Sequence, residues 1–135
     1  MLKLDGHQNS KKQGDVGLGS AIAYFTACGY TVCLPLTDSQ EYDLVVDNDS
    51  LKEVQVKTVV SKENGVFKVG LRTITGSVNH PISKSFDNTK VDLLFILTAD
   101  NDIYLIPSLD IKATAAINLG DKYNKYKINT SVRIG

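Results

Sequence analysis

The sequence predicts one mixed α/β domain with a central sheet and few helices, and three observations carry that expectation. The chain has 135 residues, of which 42% are hydrophobic and 22% charged. That is close to the globular average and enough to enclose one core. A single early segment repeats apolar residues at helical spacing, whereas most of the chain beyond it alternates at period two between turn-forming clusters. One late run, Val91 to Leu97, is almost wholly apolar, as a strand buried on both faces is. Residues 1–9 read as a flexible leader and 10–135 as one domain.

The elements come in order. Ser10 and Gln13 stand at the spacing of a capping box and open the helix. Leu18, Ile22 and Phe25 recur along it, with Ala21 beside them, and Gly29 stops it as a left-handed residue. Gly14, Gly17 and Gly19 each cost a helix about 1 kcal/mol against Ala, a cost tolerated where a backbone approaches something closely. Tyr30 to Leu34 is a short strand ended by Pro35, and Tyr42 to Asp47 is a second. The turn Asp47-Asn48-Asp49-Ser50 leads into a long strand, Leu51 to Val60. Val66 to Ile74 is a fourth strand, with Phe67, Val69 and Leu71 on one face. Residues 75–90 read as a polar, irregular loop around Pro81. Val91 to Leu97 and Ile103 to Ile106 pair across a turn at 99–102. Ser108 caps a helix expected to run to about Asn118, with Gly120 ending it, and the tail from Lys122 can add a late strand.

Several classes are disfavoured. No apolar run approaches the roughly 18 residues of a membrane span, and the polar N-terminus has no secretory h-region. The expected location is therefore the cytoplasm. Cys28 and Cys33 match no zinc spacing and read as buried filler in a reducing compartment. Fifteen basic residues balance fifteen acidic ones. Nonspecific nucleic-acid binding needs clustered cations, so any such site depends on local patterning or on oligomerisation.

The chemistry concentrates on two strands. Alternation puts Asp43, Val45 and Asp47 on one face, and Glu53, Gln55 and Lys57 on one face of the next strand. A tight turn makes the strands antiparallel neighbours. Pairing about a centre between Asn48 and Asp49 sets Asp43 near residue 54, within reach of Gln55 and Lys57 if a bulge intervenes. A carboxylate and an amide carbonyl are hard oxygen donors suited to Mg²⁺, which keeps several waters and needs only one or two carboxylates. A metal-activated water and a nearby ammonium would serve phosphate chemistry. The same alternation also describes a plain solvated sheet face.

Wider context separates the two. Gln13-Gly14-Asp15-Val16-Gly17-Leu18-Gly19, Gly29-Tyr30-Thr31-Val32, Pro35-Leu36-Thr37-Asp38, Tyr42-Asp43-Leu44-Val45-Val46 and Val54-Gln55-Val56-Lys57-Thr58 together resemble the PD-(D/E)XK endonuclease family. More narrowly, they resemble the small group related to cyanobacterial group I intron homing endonucleases. The resemblance is good over 10–60 and weaker through Val91 to Phe95 and Tyr104 to Pro107. It implies a restriction-endonuclease-like fold, a mixed central sheet flanked by helices. It also implies an Mg²⁺-dependent (or Mn²⁺-dependent) endonuclease of double-stranded DNA, with Asp43 and Gln55 as metal ligands and Lys57 as the catalytic lysine. The group tolerates Gln in place of the usual second acid. It places a further acid on the first helix, a catalytic and metal-binding role that falls here to Asp15, although Leu18 stands where some relatives carry Glu.

Other residues carry less. Glu53 shares the face of Gln55 as an alternative ligand or a surface ion-pair partner. Asp38 is either support for a second metal or a turn former, His80 a loop residue or a base, and Thr58 a donor or a strand former. Lys11, Lys12, Lys68, Arg72 and Lys84 are the candidate DNA contacts, with Lys62 and Lys90 behind them. Two-strand cleavage by a neutral chain favours a homodimer or homotetramer. A catalytically inactive nuclease-fold module for DNA binding or assembly is the alternative function.

Overall fold

A computed structural model describes residues 9–128. Helix α1 spans Ser10–Ala27. Asn9, rather than Ser10, caps it: its side chain accepts the Lys12 N–H at 2.9 Å, so the cap lies one residue before the expected box and inside the expected leader. At the other end the Tyr30 N–H bonds the Phe25 carbonyl and the Gly29 N–H the Thr26 carbonyl, both at 3.0 Å. That Schellman arrangement needs the left-handed Gly29, whose φ is +89°.

Eleven strands follow among the described residues. β1 (Thr31–Cys33), β2 (Leu44–Asp47), β3 (Leu51–Val59), β8 (Leu93–Thr98), β9 (Ile103–Pro107) and β11 (Lys127–Ile128) form the main sheet, in the order β1-β2-β3-β8-β9-β11. Between β3 and β8 the chain builds β4 (Lys62–Glu63), β5 (Val66–Gly70), β6 (Thr73–Gly76) and β7 (Pro81–Lys84), and after β9 comes β10 (Ala116–Asn118). β10, β5 and β4 make a small second sheet, and β6 pairs with β7 in a third. The main sheet is mixed: β3 runs parallel to β8 and antiparallel to β2. The late strand expected in the tail is β11, and residues 129–134 lie outside the described part.

The main sheet is covered on both faces. Ala21 and Phe25 of α1 pack on Leu44, Val46, Val54, Phe95 and Leu97. On the opposite face Phe67, Val69 and Ile117 of the small sheet pack on Val59, Leu94, Ile96 and Ile106. β8 alternates between these two clusters, which is why its sequence is apolar throughout.

Three expected elements differ. The helix expected over 108–118 is one 3-10 turn at Ser108–Asp110, after which the chain is extended into β10. The second flank of the sheet is therefore β-structure. Ala and Lys favour a helix locally, but Ile117 and Leu119 sit two apart and both are buried, so tertiary pairing with β5 overrides propensity. The strand expected over 66–74 breaks after Gly70, where the Leu71 N–H bonds the Ala115 carbonyl. The irregular segment 75–90 contains β7, paired with β6. Cys28 and Cys33 are both exposed, not core filler. Cys28 ends the helix, and Cys33 lies in the edge strand of the sheet.

Only one of the three early glycines is forced by contact. A Cβ on Gly17 would collide with the Thr58 methyl and come within 3.3 Å of Val56 Cγ1, whereas Gly14 and Gly19 have nothing within 4 Å. Gly17 thus sets how closely α1 lies on β3. Thr58, considered a metal-site donor, meets this helix through its methyl. Gly17→Ala is expected to lower stability by about 1–3 kcal/mol through overpacking. Gly19→Ala is expected to raise it by about 0.5–1 kcal/mol, through helix propensity alone. Urea denaturation of both variants checks the opposite signs.

Candidate active site

The β2–β3 hairpin sets the site. Its register pairs Leu44 with Val54 and Asp47 with Leu51. The turn centre is Asp49, held left-handed at φ 66°, half a position beyond the expected centre. The regular ladder stops at Leu44: the Asp43 N–H bonds the Val54 carbonyl, one residue off that register, as a bulge places it, and Asp43 and Gln55 still line one cleft.

Asp43 lies just before the first residue of β2, and both its backbone and its side chain bind β3. Its N–H bonds the Val54 carbonyl at 2.8 Å. Its Oδ2 accepts the Val56 N–H at 2.7 Å, occupying the place a longer β2 would have filled. Asp92 does the same from the other side: it accepts the Glu53 N–H at 2.8 Å, and its own N–H bonds the Glu53 carbonyl at 2.9 Å. The segment of β3 that carries Gln55 is thereby held from both flanks. Asp92 was not singled out from sequence; an Asp next to an apolar strand start is a weak signal of such a cap.

Asp43 and Gln55 line one cleft of ≈ 410 Å³. Its walls are the loop carrying Asp38, Ser39, Gln40 and Glu41, the β6–β7 hairpin with Thr73, Thr75 and Lys84, and the segment from Ser85 to Val91. The Gln55 Oε1 is buried and has no hydrogen-bond partner. An orphaned buried carbonyl of this kind costs about 1–3 kcal/mol. Ser108 Oγ is buried without a partner as well, and what sets Gln55 apart is that it lines the cleft beside Asp43. Among the described residues no three His, Cys, Asp or Glu side chains converge on a metal position. One carboxylate and one amide oxygen is a sparse donor set, but it suits Mg²⁺, which retains waters and binds substrate phosphate. Asp43 and Gln55 fit such an ion.

Lys57 lies two residues beyond Gln55 on the same strand face and is half-buried. Burial lowers its pKa from the ordinary lysine value, partly offset by the Asp43 carboxylate. The converse holds at Asp43. Although the residue reaches the cleft mouth, loss of solvation pushes its pKa up, against the Val56 N–H and the Lys57 ammonium, which pull it down. Both groups are thus held at some expense to their charged forms.

The other expected site residues scatter. Asp15 is exposed and lines no part of this cleft. The inward stripe of α1 runs through Gly17, Ser20, Ala21 and Phe25, which turns Asp15 away from the sheet, contrary to the inward aim expected of it. Leu18 instead lines an adjoining pocket with Asp43, Asp38 and Tyr42. Of the five candidate DNA contacts only Lys84 lines the cleft, where it pairs with Glu41 at 2.7 Å. Arg72 lies at the root of the hairpin, 3.4 Å from Ser83 Oγ. Lys68 pairs with Glu63 at 3.1 Å, and Lys11 and Lys12 are exposed on α1. Lys90 and Asp38 do line the cleft. Sequence reasoning missed Thr73, Thr75 and Asp87, whose segment carried no recognisable signal.

Because the raised Asp43 pKa means that the folded state disfavours its charge, this residue costs stability above its folded pKa. That cost vanishes below the ordinary carboxylate pKa. Asp43→Asn keeps an oxygen for the Val56 N–H and is expected to unfold at a higher urea midpoint than wild type at pH 7. The gap closes as the pH is lowered through the Asp43 titration. Midpoints compared at several pH values check both statements.

Comparison with known proteins agrees with this fold. A bacterial homing endonuclease, I-Ssp6803I, has a similar fold, with a TM-score of 0.70 at 22% identity, over 93% of this chain and 86% of that one. No curated protein matches. A family model described as PD-(D/E)XK endonuclease matches residues 8–133. With the match running through the whole β-sheet and both walls of the cleft, the chain belongs to the PD-(D/E)XK endonuclease family.

Proposed function

We propose that this chain is a Mg²⁺-dependent endonuclease that hydrolyses phosphodiester bonds in double-stranded DNA, acting as a homo-oligomer. The observation that carries the reading is the buried, unpartnered Gln55 Oε1 in the same cleft as the Asp43 carboxylate. Mn²⁺ is the expected substitute. Asp43 and Gln55 would hold the ion, which supplies a more acidic water and neutralises charge on the phosphate. Asp43, braced by the Val56 N–H, fixes where the ion and phosphate sit. Lys57 donates hydrogen bonds to the non-bridging phosphate oxygens as negative charge builds on them. Its partial desolvation strengthens that interaction, since fewer waters compete for the ammonium. Hydrolysis adds the water oxygen to phosphorus and breaks the P–O bond to the leaving oxygen; the attacking water releases a proton to solvent and the leaving oxygen takes one up from it. One such site cuts one strand, so cutting both favours paired copies. Asp15 is not carried forward, because α1 presents it to solvent.

A second reading, a catalytically silent nuclease-fold module, draws support from Leu18. It lies beside Asp43 where some relatives place an acid, which leaves the cleft one ligand short. Nicking of supercoiled plasmid with Mg²⁺, Mn²⁺ or EDTA distinguishes the two. Wild type is expected to nick with either metal and not with EDTA, and Asp43→Ala to lose all nicking while staying folded. Lys57→Ala is expected to keep Mn²⁺ binding and lose about 10²–10³ in rate. Nicking by Asp43→Ala at the wild-type rate would remove Asp43 from the site.

A further inference from the structure

The β6–β7 hairpin has no role in the core. Its two strands pair only with each other, and all eight strand residues are exposed. Ile74 and Ile82 are 72% and 62% exposed, and Val78 at the tip is 99% exposed. The tip is nonetheless ordered: Gly76 is left-handed at φ +87°, and the His80 N–H bonds both the carbonyl and the hydroxyl of Ser77 at 3.1 Å. An ordered ribbon that leaves apolar side chains in water is shaped for an external surface.

The register says what that surface meets. Thr73 pairs with Lys84 and Thr75 with Ile82, so these four side chains share one face. Thr73, Thr75 and Lys84 line the same cleft as Asp43 and Gln55. The ribbon face is therefore continuous with the site where a phosphate would be cut. It offers two hydroxyls that both donate and accept, one ammonium and one branched methyl group. Those are the groups that read base edges, a thymine methyl and a phosphate. A two-stranded ribbon fits the B-DNA major groove, about 12 Å wide, and its strands of four residues span roughly 13 Å, about four base pairs.

We infer that the β6–β7 ribbon enters the major groove beside the scissile phosphate and sets sequence preference there, with Thr73, Thr75 and Ile82 on base edges and Lys84 on a phosphate. This rests on the proposed nuclease function and adds a specificity element to it. Lys84 is held by Glu41 in an exposed pair that water and salt screen, so a phosphate displaces Glu41 readily.

The test uses full-length wild type and Thr75→Ala/Ile82→Ala, both exposed positions, first matched by urea midpoint. Each digests random-sequence linear duplexes with Mn²⁺, and the new ends are sequenced. In parallel the Asp43→Ala background, with and without the ribbon substitutions, selects binders from the same pool. The expected result is that the double variant still cuts but loses base preference over a contiguous block of about four base pairs. Affinity of the Asp43→Ala background for its selected duplexes falls about tenfold or more. Unchanged preference and affinity would overturn the ribbon's role while leaving the nuclease intact. Altered sedimentation with unchanged preference would also overturn it, assigning the ribbon to a second copy of the chain. If wild type neither cuts nor binds any duplex, the nuclease function itself fails and the ribbon's role falls with it.

Discussion

β2 ends two residues short of satisfying β3 on its outer side, and the Asp43 carboxylate completes the pairing by accepting the Val56 N–H. That hydrogen bond ties catalytic geometry to sheet geometry. It holds Asp43 against the strand that carries Gln55 and Lys57 and orients the carboxylate without another side chain. The Asp92 cap on Glu53 holds the other flank of β3. Gly17 then lets α1 press against Val56 and Thr58 from behind. The strand bearing the site is clamped on two edges and one face, so displacement of any one support shifts the donors together.

The groups held by this clamp are electrostatically uncomfortable. Asp43 and Lys57 sit where loss of solvation opposes both charges. The Gln55 oxygen is buried without a partner. A domain selected for stability alone would have filled this corner with apolar side chains or let water in. Such local costs gather at functional sites, where a ligand offsets them on binding. A divalent cation would neutralise the carboxylate, satisfy the amide oxygen and draw phosphate toward the lysine. The neutral net charge of the chain would then be no obstacle, because attraction for DNA would be generated locally at the cleft.

The sheet was legible because it obeys period two. β2, β3, β8 and β9 emerge from alternation and from the apolar run at 91–97, and the shared face of Gln55 and Lys57 comes from the same rule, with Asp43 brought to them by a bulge at the start of β2. Their exact register did not emerge, since a left-handed Asp49 inserts one residue into the turn. The segment 108–118 misled because Ala and Lys favour a helix where Ile117 and Leu119 are instead pulled into strand pairing. Asp15 misled for a related reason: spacing places it near Leu18 and Ile22, but the buried stripe of α1 lies on the other side, through Gly17, Ala21 and Phe25. The β6–β7 ribbon was legible only in its first two residues, read as the end of the strand over 66–74, since a hairpin whose strand residues are all exposed has no buried face to betray it.

Binding of one divalent cation by Asp43 and the orphaned Gln55 oxygen together is best tested by anomalous diffraction from crystals of the protein soaked in Mn²⁺. A single strong peak is expected in the cleft, coordinated at about 2.2 Å by an Asp43 oxygen and by Gln55 Oε1, with waters completing the shell. Manganese bound elsewhere, with the Gln55 oxygen hydrogen-bonded to protein or water instead, would contradict it.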